Sequence, residues 1–194
     1  MKTILYIHGY GSNSNATKAQ LLKAMVPEHR VIVPTYDFNH HTAGEIQEQI
    51  RQTVESEKVD MLLGSSLGGF HALCTLPWFE GPVWAVNPVT DPLPQFKKAI
   101  IPRLEKQAPQ LLPDALKNLN SYQGLVDEVF SHLPQRDGQV SLALSTDDET
   151  LGDHHHTASL FPKAAYIIWR DNSGHHFTRF EELREAIRAT IDKI

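Results

Sequence analysis

Met61-Leu62-Leu63-Gly64-Ser65-Ser66-Leu67-Gly68-Gly69-Phe70 is the stretch whose reading decides the fold. The apolar run 59–63 has the length and composition of a buried strand, and a helix-like segment follows Ser66 at once. Between them stands G-x-S-x-G in the setting that gives it chemical meaning: a strand, a sharp turn and a helix. Such a turn strains the backbone of its central serine and leaves Oγ exposed. Gly64 and Gly68 omit side chains that would strike the neighbouring strand or helix. Ser66 is therefore the candidate nucleophile. The N–H of Leu67 opens the new helix without an intrahelical partner, which makes it a candidate oxyanion donor. A plain Ser-Gly turn has the same five letters, and only the flanks favour the chemical sense.

Upstream, residues 3–7 form a short apolar run rich in β-formers, read as a buried strand ending in His8-Gly9-Tyr10-Gly11-Ser12-Asn13-Ser14. Gly9 lets the chain turn, and the N–H of Tyr10 becomes the second candidate oxyanion donor. His8, at the strand end, suits a structural role better than that of a base, and with Gly9 it is a candidate to line a substrate site. Residues 16–26 read as a helix with Ala19, Leu22 and Val26 on one face, capped by Ser14 or Asn15 and stopped by Pro27. A second buried strand is expected at 31–33. The loop 34–41 carries Tyr36, Phe38, His40 and His41; Tyr36 is a candidate substrate contact, with a solvent-exposed loop as the alternative. Thr42-Ala43-Gly44-Glu45 matches a capping box ahead of a helix with Ile46, Ile50 and Val54 on one face.

Downstream, residues 83–86 read as another buried strand, ending at Asn87-Pro88, with Asn87 a further lining candidate. The strand–helix rhythm then breaks from 91 to 137, where Pro92, Pro94, Pro102, Pro109, Pro113 and Pro134 separate leucine-bearing pieces. So long a stretch without a strand is read as two or three short helices forming a cap. Residues 140–144 resume the sheet and deliver Asp147-Asp148-Glu149. Asp148 is the chosen acid of a Ser…Asp…His order, Asp147 the second choice and Glu149 the third. In Asp153-His154-His155-His156, adjacent side chains point to different faces, so no metal site is expected; a helix capped by Asp153 is the simpler account. After a last strand at 164–169 comes Gly174-His175-His176-Phe177, with His175 the candidate general base and His176 the alternative. Thr178-Arg179-Phe180-Glu181 matches a second capping box, opening a helix with Phe180, Leu183, Ile187, Ile191 and Ile194 on one stripe.

At 194 residues the chain is read as one domain. Eighteen Lys and Arg against 23 Asp and Glu leave a net charge of −5 with no basic block, so no nucleic-acid partner is expected. The single cysteine, Cys74, excludes an intramolecular disulfide and suits a reducing compartment. The apolar start is too short for a signal peptide or a membrane span, which favours a soluble, cytoplasmic protein without a membrane partner.

These residues carry a likeness. Leu5-Tyr6-Ile7-His8-Gly9-Tyr10, Gly64-Ser65-Ser66-Leu67-Gly68-Gly69-Phe70, Val86-Asn87-Pro88, Thr146-Asp147-Asp148-Glu149 and Gly174-His175-His176-Phe177-Thr178-Arg179-Phe180 resemble the α/β-hydrolase superfamily, and most closely the small YqiA-like bacterial esterases. The resemblance covers nearly the whole length. It implies Ser66 as nucleophile, Asp148 as acid and His175 as base. Asp147 stands where the family has Gly, and Gly174 where it tends to have Asn. The expected fold is a compact three-layer α/β/α sandwich with about six mainly parallel strands, a small helical cap, and the order 2-1-3-4-5-6 implied by the resemblance. The expected function is a serine carboxylesterase or thioesterase acting on a small-molecule ester, with no cofactor and no metal. The alternatives are a catalytically idle binding protein of the same fold, or an acyltransferase or peptidase using the same triad.

Overall fold

The computed structural model describes residues 1–132 and 136–194, with only the backbone course given for 128–132. Six strands form its centre: β1 (Thr3–Ile7), β2 (Arg30–Ile32), β3 (Met61–Ser65), β4 (Val83–Val86), β5 (Val140–Ser145) and β6 (Tyr166–Arg170). They pair in the order β2-β1-β3-β4-β5-β6, every pair parallel, as the resemblance implies. Strands β3, β4 and β5 are buried along their whole length, because parallel strands joined by helical crossovers are covered on both faces.

Side chains alternate between two apolar layers. Ile4, Tyr6, Met61, Leu63, Trp84, Val86 and Ala143 point to one face, where they meet Ala19, Leu22 and Met25 of α1 (Thr17–Met25) and Ile187 and Ile191 of α9 (Arg184–Ile191). Leu5, Ile7, Leu62, Val83, Ala85, Leu142 and Leu144 point to the other. There they meet Ile46 and Ile50 of α2 (Ala43–Glu57) and Phe70 and Leu73 of α3 (Leu67–Leu73). The result is the three-layer sandwich of an α/β-hydrolase fold. Strand order reverses between β1 and β3, and such a reversal opens a crevice at the carboxyl ends of the strands.

Local departures from expectation have local causes. Strand β2 is a half-exposed edge at Arg30–Ile32 rather than a buried strand at 31–33. Helix α1 has no side-chain cap, because the residue at its N-cap is Ala16, which carries no acceptor, rather than Ser14 or Asn15. The Thr42 box forms in both directions: Glu45 N–H donates to Thr42 Oγ1 at 3.2 Å, and Thr42 N–H to Glu45 Oε2 at 2.7 Å. The Thr178 box does not form. Thr178 N–H turns back to Ser173 O at 3.0 Å, and a 3-10 turn at Phe180–Leu183 precedes α9.

Between β4 and β5 the described residues hold four helices, more than the two or three expected: α4 (Pro92–Gln95), α5 (Ile101–Gln107), α6 (Leu112–Leu119) and α7 (Ser121–His132). A π-helical turn, Phe96–Ile100, joins the first two. Pro92, Pro102 and Pro113 sit in first turns, where a missing N–H costs nothing, so these residues start helices rather than break them. Pro134 lies outside the described residues. This insertion rests on the loop after β2 and on α3: Asn118 donates to Asn39 O, and Tyr122 packs on Phe70, His71 and Phe96. Among the described residues no helix is long and apolar enough to cross a membrane.

Candidate active site

The turn after β3 is made by steric exclusion. A Cβ on Gly64 would lie 2.1 Å from the carbonyl oxygen of Gly68, and one on Gly68 would lie 2.2 Å from that of Ile7 and 2.4 Å from that of His8. Backbone thus packs on backbone where β1, β3 and α3 meet. Ser66 takes up the strain at φ 54°, ψ −122°, outside the regions an L-residue favours. Its backbone is tied on both sides: N–H to Val86 O at 2.9 Å, and O from Phe70 N–H at 3.1 Å and Val89 N–H at 3.2 Å.

The Ser66 hydroxyl lies 3.0 Å from Nε2 of His175, whose Nδ1 lies 2.9 Å from Oδ2 and 3.1 Å from Oδ1 of Asp148. An ionised carboxylate only accepts, so His175 carries its ring proton on Nδ1 and leaves Nε2 free to accept from Ser66. Burial pushes the Asp148 carboxyl up, but donors from His154, His175 and Leu151 N–H outweigh it and hold the group well below the usual carboxylate range.

Each of the three consecutive acids holds the loop after β6 in its own way. Asp147 accepts the N–H groups of Ser173 and Gly174 at 3.1 and 3.2 Å, Asp148 takes the His175 ring, and Glu149 accepts the His175 N–H at 2.9 Å. Asn87 clamps the same loop from β4. Its Nδ2 donates to the carbonyls of Gly174 and His175 at 3.0 and 3.1 Å, and its Oδ1 accepts Ser145 N–H at 2.8 Å. His176, the alternative base, is exposed and its ring stands 6.1 Å from that of His175.

A cavity of about 1140 Å³ opens over Ser66 and His175. Gly9, Tyr10 and Leu67 border it, as do Gln95, Phe96, Ala99, Ile100 and Arg103 of the insertion. The described lining contains no carboxylate; its full charges are Arg103 and Lys18. Burial lowers the Lys18 ammonium to about 8. Of the expected lining residues, His8, Tyr36 and Asn87 do not border this cavity. His8 is fully buried, with Nδ1 donating to Gly9 O at 2.9 Å and Nε2 accepting Tyr36 N–H at 3.0 Å. Burial holds its ring below the usual histidine range, so it is a neutral strut between two loops, and Tyr36 packs against it. Asn87 is consumed by the clamp just described.

Two features had no signal in the sequence. The clamp by Asn87 joins residues 87 and 88 positions apart. His154, which precedes α8 (His155–Ser159), lies 2.9 Å from Asp148 Oδ2, while Asp153, the expected cap, accepts His155 N–H. No group of three His, Cys, Asp or Glu able to hold a metal is found among the described residues.

Comparison with known proteins fits this architecture. The model of the "Uncharacterised protein family (UPF0227)" matches residues 3–191. Among solved structures, a monoacylglycerol lipase of Paleococcus ferrophilus superposes with a TM-score of 0.71 at 17% identity, over 95% of this chain and 91% of that one. Est1E from Butyrivibrio proteoclasticus gives 0.74 at 15% identity, over 99% and 87%. Alpha/beta hydrolase domain-containing protein 10 from mouse gives 0.66 at 16%, over 98% and 90%. Identities this low speak to the shared fold.

Proposed function

The chain belongs to the UPF0227 protein family, and from that premise we propose that it is a serine hydrolase cleaving a carboxylic ester or thioester through an acyl-enzyme on Ser66. The observation that carries this is the continuous relay from Ser66 Oγ through His175 to Asp148, 3.0 and 2.9 Å long, beneath a cavity that admits a small molecule. A neighbour in fold that is named a monoacylglycerol lipase makes an ester bond the natural target.

His175 Nε2 takes the Ser66 proton as Oγ attacks the carbonyl carbon, and Asp148 steadies the imidazolium that forms. The negative charge moves to the carbonyl oxygen, where the N–H groups of Tyr10 and Leu67 receive it; losing one such donor costs about 2.7–4 kcal/mol of barrier. His175 returns the proton to the leaving alcohol or thiol. Water then attacks the acyl-enzyme by the same route and frees Ser66. The insertion at 91–137 acts as the cap of this site, one wall of the cavity being its Phe96–Arg103 face. Lys18 and Arg103, unopposed by any carboxylate of the described lining, favour esters that carry negative charge.

Ser66→Ala should abolish p-nitrophenyl acetate turnover and fluorophosphonate labelling while leaving the circular dichroism spectrum and melting temperature close to the parent's. Undiminished labelling of that variant would place the nucleophile elsewhere. A parent protein that neither labels nor turns over any ester of graded chain length would instead be an idle member of the fold.

A further inference from the structure

One imidazole of the run Asp153-His154-His155-His156 touches the relay. His155 and His156 are exposed, whereas His154 is 2% exposed and its Nε2 lies 2.9 Å from Oδ2 of Asp148. That oxygen is the one that His175 Nδ1 also approaches at 2.9 Å. The chain reverses at 148–152, where Gly152 donates to Asp148 O at 2.9 Å with φ 83°, and this turn brings position 154 back against position 148. The N–H groups of Thr150 and Leu151 donate to Oδ1 at 2.9 and 2.8 Å. The carboxylate therefore accepts from two imidazoles and two backbone amides, which fills the roughly four lone-pair sites it has.

We propose that His154 is a positioning residue of the active site: its Nε2–H donates to Asp148, fixing the carboxylate and dividing its charge between two imidazoles. This rests on the Ser66–His175–Asp148 reading of the site. A carboxylate with four donors cannot rotate without losing one, so the Nδ1 of His175 faces a fixed acceptor. Charge drawn toward His154 is charge that does not stabilise a protonated His175. Removing the second imidazole would leave the whole carboxylate charge facing His175. A buried imidazole that only filled space would need no donor aimed at the acid.

Other groups also face the two rings. Asp153 adjoins His154 in the chain, and Asp91 and His156 line the small cavity beside it. Around His175 stand Glu149, His176 and Ser66, with Lys18 and Arg103 on the shared cavity wall. All are retained in the variants below, so a difference between variants reports position 154.

The measurement is the second-order rate of Ser66 labelling by a fluorophosphonate between pH 4.5 and 9, which needs no knowledge of the substrate. His154→Phe keeps a ring but loses the donor. Its plateau rate should fall about tenfold, the scale of one hydrogen bond to a charged group, and its acid limb should move to higher pH by about 0.5–1 unit. His154→Gln places an amide donor where Nε2 was and should restore the parent's acid limb. An acid limb that stays put in His154→Phe, whatever happens to the plateau, overturns the proposal and leaves His154 as packing. Should the Phe variant not fold, histidine ¹⁵N spectra of the parent decide: His154 must carry its proton on Nε2 and His175 on Nδ1. An Nδ1–H tautomer for neutral His154 refutes the assignment. A parent that does not label at Ser66 at all fails the serine-hydrolase reading itself, a result distinct from either of these.

Discussion

At the turn after β3, Ser66 is held by backbone against backbone: Gly64 and Gly68 leave no room for a Cβ, and the strain sits in one residue at φ 54°. A few ångströms away, the loops after β5 and β6 hold Asp148 and His175 by other means, a lattice of side-chain hydrogen bonds from Asp147, Glu149, Asn87 and His154. Ser66 is fixed by shape and its partners by polar pairing. Shape of this kind is written in five consecutive residues, whereas polar pairing joins residues far apart and tolerates several spellings. The two halves should therefore fail differently when disturbed.

The largest effect is expected on the polar side. Asp148→Asn should lower kcat/KM for p-nitrophenyl acetate about 10⁴-fold, because an amide favours the wrong tautomer of His175 and cannot steady its imidazolium. Asp147→Asn and Glu149→Gln, which hold only loop backbone, should each cost about tenfold or less. Equal losses in all three would erase the distinction between the acid that holds the ring and those that hold the loop. On the steric side, Gly68→Ala forces a methyl group onto two carbonyl oxygens of the β1 end. Urea unfolding should show a loss of about 3 kcal/mol or more. Asn87→Ala removes the acceptor of Ser145 N–H and the donor to the His175 carbonyl, while the Gly174 carbonyl keeps Ser145 Oγ at 2.6 Å, and should cost about 1–3 kcal/mol with activity falling in step.

His71 sharpens the comparison from behind, since it lies on α3 and meets Gln47 at 2.9 Å and Tyr122 of the insertion at 3.4 Å. Burial lowers its ring to about 3. The unfolded chain takes up a proton near pH ~6.5 that the folded chain refuses, so stability is greatest above that value and falls as pH drops from ~6.5 toward 3. The slope this group adds is about 1.4 kcal/mol per pH unit, and His8, also lowered by burial, acts in the same direction. Asp148, also held low in the fold, acts in the same direction at lower pH: it adds stability above ~3.9 that is lost as pH falls below that value, beneath the range from 6.5 to 4. His71→Gln should flatten the dependence of the urea midpoint on pH between 6.5 and 4; an unchanged slope would show that the ring protonates in the folded state. The smallest effect concerns the cavity wall. Lys18→Met should reduce kcat/KM for a p-nitrophenyl hemisuccinate by up to about tenfold and leave the acetate ester unchanged, the difference shrinking in high salt.

How much could be read beforehand follows the same division. Apolar runs gave the strands because parallel strands must be apolar on both faces, and the glycine pair gave the elbow because nothing else fits. Edge strands were harder. β2 shifted by one residue and came out half-exposed, since an edge lacks the second covering layer that sharpens the pattern. Prolines between 91 and 137 marked breaks in the sequence but helix starts in the fold, because Pro is as well suited to a first turn as to a loop. Three adjacent acids could not be sorted by composition, for each is a carboxylate at a strand end. His8, Tyr36 and Asn87 carried the right chemistry in the right loops, yet their side chains turned to neighbours rather than to the cavity.

The sequence by itself determined the layered sheet, the elbow and the identity of the residue types that gather there, because periodicity, glycine and chain order are local properties. Tertiary structure alone decided which carboxylate meets which nitrogen, that one acid is shared by two histidines, and that Lys18 and Arg103 border one cavity. Those facts depend on distances between residues tens of positions apart, and only the packed chain sets such distances.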